Sequence, residues 1–169
     1  MIKEIKRQYL EIKSLQSLVP VKRPNNNCKV IMVENPDFHL NLFFYKQIGK
    51  KHRWIDRLEW TDEQWMKYIN NPNVYTYILK DGEEMAGYFE LIKEKNKKDT
   101  EIAYFGVLED FHGKKYGGYL LSEAIKFSLT NGSERVWVHT CSLDHKNALP
   151  NYQARGMEIF KSEIARISF

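Results

Sequence analysis

The chain has little cysteine. Only Cys28 and Cys141 occur in 169 residues, far apart and without metal-ligand spacing. That excludes a disulfide framework, and no zinc site follows from them. No apolar run reaches membrane-spanning length. The first residues, "MIKEIKRQYLEIKSL", lack the apolar core of a signal peptide. A cytoplasmic protein with no membrane role and no bound metal is therefore expected. No internal repeat or low-complexity tract is present. Charge of one sign is scarcely in excess, with 26 Lys and Arg against 22 Asp and Glu and a net +4. The basic residues are spread rather than massed, and no RNA-binding aromatic signature is present, so a nucleic-acid partner is not expected. The mild excess still suits an anionic ligand.

What is present is a globular composition, 43% hydrophobic and 14% aromatic, in a length that fits one domain over 1–169. Residues 3–15 fit a strand or a helix, with strand preferred. "VPVKRPNNN" (19–27) is a turn-rich connector with two prolines. "KVIMV" (29–33) is a short strand. A helix is expected from Asn35 and Pro36, with aromatic residues at helical spacing, and another after Thr61, an N-cap residue followed by acids. "VYTYIL" and "EMAGYFELI" are strands joined by the hairpin signal "KDGE", and "TEIAYFGVL" continues the meander. A helix over 119–130, the strand "RVWVHTC", a short helix closed by Gly156 and one or two final strands complete the order. The fold class is α/β (α+β): an antiparallel meander followed by a strand–helix–strand crossover.

The stretch "EDFHGKKYGGYLLSEAI" (109–125) places Gly113, Gly117 and Gly118 between a strand and a helix. Glycine carries an entropic cost, so a cluster needs a reason. A plain turn is one reading. The other is a helix N-terminus whose unpaired N–H groups and dipole hold a phosphate, with Lys114 and Lys115 adding charge. The loop is neither a Walker sequence nor the dinucleotide fingerprint.

"HGKKYGGYLL" resembles motif A of the GNAT family, the GCN5-related N-acetyltransferases, which reads Arg/Gln-x-x-Gly-x-Gly/Ala between a strand and a helix. His112 stands in the Arg/Gln position, Lys115 in that of the first glycine and Gly117 in that of the second. "DHKNALPNYQARGM" continues the likeness: Ala148, Tyr152 and Gly156 match the last helix of such chains. His145 takes the Asn position, Asn147 lies nearby out of register, and Met157 replaces Phe. The resemblance runs from about residue 74 to the C-terminus. It implies a GNAT fold with a central mixed, twisted sheet of about six or seven strands. Residues 74–169 would be the acetyl-CoA-binding core and 1–73 the acceptor side. A V-shaped splay between two strands would hold the cofactor.

The implied activity is transfer of an acetyl group from acetyl-CoA to a primary amine by direct attack. An amine of the lysine type titrates near pH ~10, so a base is needed. The resemblance makes Glu101 the candidate base, on one strand face with Ala103, Phe105 and Val107. His139, facing the same way as Cys141, is an alternative, and proton removal through a water is another. Tyr152 is the candidate acid for the CoA thiolate. The Val107 N–H would polarise the thioester carbonyl, with Gly106 permitting a bulge. Phe105, Gly106, Val107, His112, Gly113, Lys114, Lys115, Tyr116, Gly117, Gly118, His145, Asn147 and Tyr152 are the expected cofactor contacts.

Acceptor recognition is expected from "RWIDRLEWTDEQW" (53–65) through Trp54, Asp56 and Arg57, with Tyr88, Glu90 and His139 as further candidates. Core packing explains the same aromatic residues. The acceptor is a small-molecule or peptide amine, and a homodimer is compatible with the sequence. A non-catalytic acyl-CoA-sensing domain is the alternative function.

Overall fold

A computed structural model describes residues 1–168. The strands are β1 (Ile2–Ile12), β2 (Cys28–Met32), β3 (Val74–Asp81), β4 (Glu84–Ile92), β5 (Asp99–Val107), β6 (Arg135–Cys141) and β7 (Glu158–Ser168). The helices are α1 (Phe38–Gly49), α2 (Asp62–Ile69), α3 (Tyr116–Thr130) and α4 (Ala148–Ala154). The seven strands form one mixed sheet in the order β2-β3-β4-β5-β6-β1-β7. β5 and β6 run parallel around α3, while every other pairing is antiparallel.

Local chemistry explains the element ends. Thr61 and Gln64 form a reciprocal capping box at α2. α1 starts two residues after Pro36, with the side chain of its N-cap Asp37 accepting from the His39 N–H at 3.0 Å. α3 begins at Tyr116, three residues before the sequence pattern indicates, and so takes Gly117 and Gly118 into its first turn. Residues 3–15 resolve into strand β1, and the final residues make one strand rather than two.

α3 and α4 cover one sheet face, where Leu10, Phe89, Leu91, Ile102, Val136 and Val138 pack under Leu120, Leu121 and Ile125. α1 and α2 cover the other face over β3 to β5, with Phe44, Tyr45, Trp65, Ile78 and Tyr88 buried there. Among the described residues no helix is long and apolar enough to cross a membrane.

The β4–β5 register slips between Glu90/Tyr104 and Leu91/Ile102, so Ala103 is an extra residue in β5. The bulge therefore lies at Ala103 and not at Gly106. A Cβ on Gly106 would come within 2.6 Å of Ile48 Cγ2 in α1, and that approach is the reason for glycine there. A bulge bends its strand and sharpens the twist. It also shifts the side-chain alternation. Phe105 and Val107 join Ile102 against the α3 core, whereas Tyr104 packs on the α1–α2 side. Glu101 is opposite in face to Ile102, so it does not share a face with Phe105 and Val107 as even spacing predicts.

Candidate active site

β5 and β6 pair over only three positions, Asp99↔Arg135, Thr100↔Val136 and Glu101↔Trp137. Beyond these β5 follows β4 and β6 follows β1. The splay opens a cleft of about 1090 Å³ between the ends of β5 and β6, the α3 N-terminus, α4 and the loop after α1.

The Leu108 N–H donates to Ala86 O at 2.8 Å. Backbone groups alternate sides along a strand, so the N–H and C=O of Val107 point away from β4 into the splay. His112 Nε2 lies 2.9 Å from Val107 O on that side. A carbonyl only accepts, so Nε2 carries the proton.

The glycine loop is left-handed at Gly113 (φ 77°) and at Lys115 (φ 66°), the residue before α3. Open space surrounds the Gly113 Cα, so its backbone angle alone calls for glycine. Lys115 takes up the same conformation at a cost of roughly 1–2 kcal/mol. This aims the first N–H groups of α3 at the cleft. Asn151 of α4 ties the two helices by donating to Gly117 O at 3.1 Å.

Tyr152 lines the cleft from α4 and packs near Phe105, with ring centroids 6.2 Å apart. Burial, and secondarily Asp144, push its phenol well above the usual range and keep it a proton donor. His139 lines the β6 wall. The residue is exposed to the open cleft, yet desolvation by the surrounding walls and the Arg7 guanidinium lower its pKa, against opposing pulls from Asp144, Asp56 and Glu163, and so favour a neutral imidazole. At the mouth, His145 lies edge-on to His112 and His52, with ring centroids 5.0 and 5.7 Å apart. The Asn147 N–H donates to His145 Nδ1 at 3.0 Å. Burial and the two neighbouring imidazoles lower the His145 pKa. Lys51 pairs with Glu109 at 2.7 Å, joining the loop after α1 to the turn after β5.

Phe105, Gly106, Val107, His112, Gly113, Lys115, Tyr116, Gly117, Gly118, His145, Asn147, Tyr152, Trp54, Asp56 and His139 therefore meet around one cleft. Five expected site residues are not part of its lining: Glu101, Lys114, Arg57, Tyr88 and Glu90. Glu101 lies at the closed end of the splay, where burial raises its carboxyl pKa against the pull of Arg57. Lys114 turns back over the Phe111 ring, 5.5 Å from its centroid. Glu90 is fully buried and accepts from Arg57 at 2.9 Å, Tyr68 at 2.7 Å and Asn41 at 3.0 Å. Arg57 stands over the rings of Tyr68 and Tyr104 at 4.1 and 4.2 Å. Tyr88 stacks on Phe44 at 4.8 Å. These three residues hold the α1–α2 layer to the sheet. Arg57 also fixes the loop that presents Trp54 and Asp56.

Sequence reasoning missed Ile5 and Arg7, which reach the cleft because β1 lies beside β6. It also missed Lys51, His52 and Asn151. Only Asn151 had a signal, its place beside Tyr152 in the last helix.

The cleft suits acetyl-CoA. Its volume accommodates an extended ligand, Val107 offers an inward backbone N–H, and the α3 N-terminus offers an anion cradle. The sequence model of the Acetyltransferase (GNAT) family matches residues 38–157. No curated protein sequence matches the chain. A GCN5-related N-acetyltransferase from Sphaerobacter thermophilus superimposes with a TM-score of 0.72 at 15% identity, covering 96% of this chain and 51% of that one. One from Kribbella flavida gives 0.67 at 11% identity, covering 98% and 58%. The chain thus spans little more than half the length of either protein. An aminoglycoside acetyltransferase from an uncultured soil metagenomic sample gives 0.63 at 17% identity, covering 79% and 90%. With the family match extending over well more than half of its residues, the chain belongs to the GNAT family of acetyltransferases.

Proposed function

We propose that the chain moves an acetyl group from acetyl-CoA to a primary amine by direct attack on the thioester. The observation that carries this reading is the convergence of the Val107 backbone, the α3 N-terminus and the Tyr152 hydroxyl on one splayed cleft. The α3 amides and Lys115 hold the pyrophosphate. The Val107 N–H donates to the thioester carbonyl oxygen and stabilises the charge it gains during attack.

The base is better supported at His139 than at Glu101. His139 lines the cleft with a lowered pKa, whereas Glu101 lies off the lining with its carboxyl pKa raised. His139 takes a proton from the incoming ammonium, directly or through a water. His139 passes that proton to solvent; the amine nitrogen bonds to the carbonyl carbon and gives up its second proton to solvent water as the carbon–sulfur bond breaks. Tyr152 gives its proton to the departing sulfur and regains one from solvent. Asp56 and Trp54 face the acceptor, a carboxylate for the ammonium and an indole for its apolar or cationic body.

The test is thiol release from acetyl-CoA with a panel of amines: aminoglycosides, polyamines, amino acids and lysine peptides. Turnover with one class, lost in Tyr152→Phe while acetyl-CoA still binds, supports the enzyme. Binding of acetyl-CoA with no thiol release for any amine would instead support a sensing domain.

A further inference from the structure

A second concavity of about 650 Å³ lies beside the α3 N-terminus. The connector between β1 and β2 supplies Lys22 and Arg23, the start of α3 supplies Lys115 and Gly118, and α4 supplies Asn151 and Arg155. Four cations meet there and no carboxylate lines the groove. Among the described residues none of the four has an ion-pair partner, whereas Arg7, Lys51, Arg57 and Arg135 all do. Gathering unpaired cations in one concavity is unfavourable unless an anion joins them. The Nε atom of Arg155 is buried with no hydrogen-bond partner, which leaves a charged donor in want of an acceptor.

The groove is built rather than incidental. The Val21 N–H donates to Ser122 Oγ at 2.9 Å and the Val19 N–H to Arg155 O at 3.0 Å, which clamps the connector across α3 and α4. A Cβ on Gly118 would stand 2.5 Å from Arg155 Nη1 and 2.7 Å from Val21 Cγ2. Gly118 is therefore the residue that lets the connector and Arg155 close over the helix. Lys115, Gly118 and Asn151 line both this groove and the main cleft, so a ligand extending from one enters the other. The connector lies outside residues 38–157, the part of the chain that the family's sequence model matches.

We propose that the groove is a phosphomonoester subsite that reads the 3′-phosphate of coenzyme A, with the connector lysine and arginine as the residues that select it. The inference rests on the acetyl-CoA reading of the cleft. Charge-assisted hydrogen bonds to a phosphate are the strong kind, and losing them weakens binding by about tenfold or more.

The experiment is calorimetric titration of the full chain with acetyl-CoA and with acetyl-3′-dephospho-CoA. The unsubstituted protein should bind the dephospho compound at least about tenfold more weakly. Lys22→Glu with Arg23→Glu, both at exposed positions, should weaken acetyl-CoA by a similar factor and leave the dephospho compound unchanged. Equal affinity for the two ligands overturns the subsite and leaves the acetyl-CoA reading standing; this comparison needs no variant. Binding of neither ligand overturns both. Inorganic phosphate is titrated separately. If it binds in a manner dependent on Lys22 and Arg23 while the two CoA compounds bind alike, the groove serves free phosphate and the coenzyme assignment falls.

Discussion

Replacing Glu90 with glutamine keeps the shape of the buried polar cluster and removes its negative charge. The carboxylate has no exposure and bridges three donors: Arg57 at 2.9 Å, the Tyr68 hydroxyl at 2.7 Å and Asn41 at 3.0 Å. Burial alone pushes the Arg57 guanidinium down, but Glu90 opposes that and holds it firmly charged. In Glu90→Gln the cation stays within its ring of aromatic residues without a counter-charge. The new amide N–H₂ also faces the Asn41 amide, which already donates to Thr76 Oγ1 at 3.0 Å. Breaking a buried pair from one side costs about 3–5 kcal/mol. That is a large part of the ~5–15 kcal/mol by which domains are stable, and it corresponds to a fall in Tm of about 10 °C. Urea unfolding of Glu90→Gln, Glu90→Leu, Arg57→Met and Glu90→Leu/Arg57→Met measures it. The double replacement should be far less destabilised than the sum of its parts, because no orphaned charge remains. A loss under about 1 kcal/mol in Glu90→Gln, or additive losses in the double variant, would refute the view that the pair acts as one buried unit.

Tyr152→Phe should lower kcat by about a hundredfold with little change in KM for acetyl-CoA, as removal of a proton donor to the leaving thiolate requires; steady-state thiol release measures both. The acid limb of kcat/KM should have its midpoint below the ordinary histidine value of about 6.5, because the His139 pKa is lowered. Activity then persists to lower pH than a normal histidine base permits. An unchanged limb in His139→Gln would remove His139 from that role. Lys115→Gly should stabilise the fold by up to about 1 kcal/mol, since it relieves the left-handed backbone strain, whereas Gly113→Ala should destabilise it by a similar amount. Thermal melts of both variants check the pair. Asp56→Asn should raise KM for the amine by about tenfold while acetyl-CoA affinity holds, as loss of one facing charge predicts.

The meander, the crossover helix, the glycine loop and the last helix were legible because each has a local cause. Hairpin signals sit between β-rich runs, Thr61 caps a helix, and Gly113 stands where the backbone must turn left-handed. That Tyr152, Val107 and the loop around Gly113 share one cleft was legible through motifs whose spacing survives within single elements. Three things were beyond that reach. The bulge at Ala103 arises from the fit of β5 to β4, and one extra residue there moved Glu101 away from the Phe105 and Val107 face. The burial of Arg57 and Glu90 depends on α1, α2 and β4 closing together, so the sequence, which offers each as a separate acceptor contact, carries no mark that they pair in the core. The place of β1 between β6 and β7 is a long-range pairing with no local mark, yet it brings Arg7 and Ile5 into the cleft. Nearest-neighbour chemistry thus determined from sequence alone which segments become strands, helices and the glycine turn before α3. Tertiary structure decided which side chains face the cleft, because sheet order, a one-residue bulge and mutual burial are set by contacts between segments far apart in the chain.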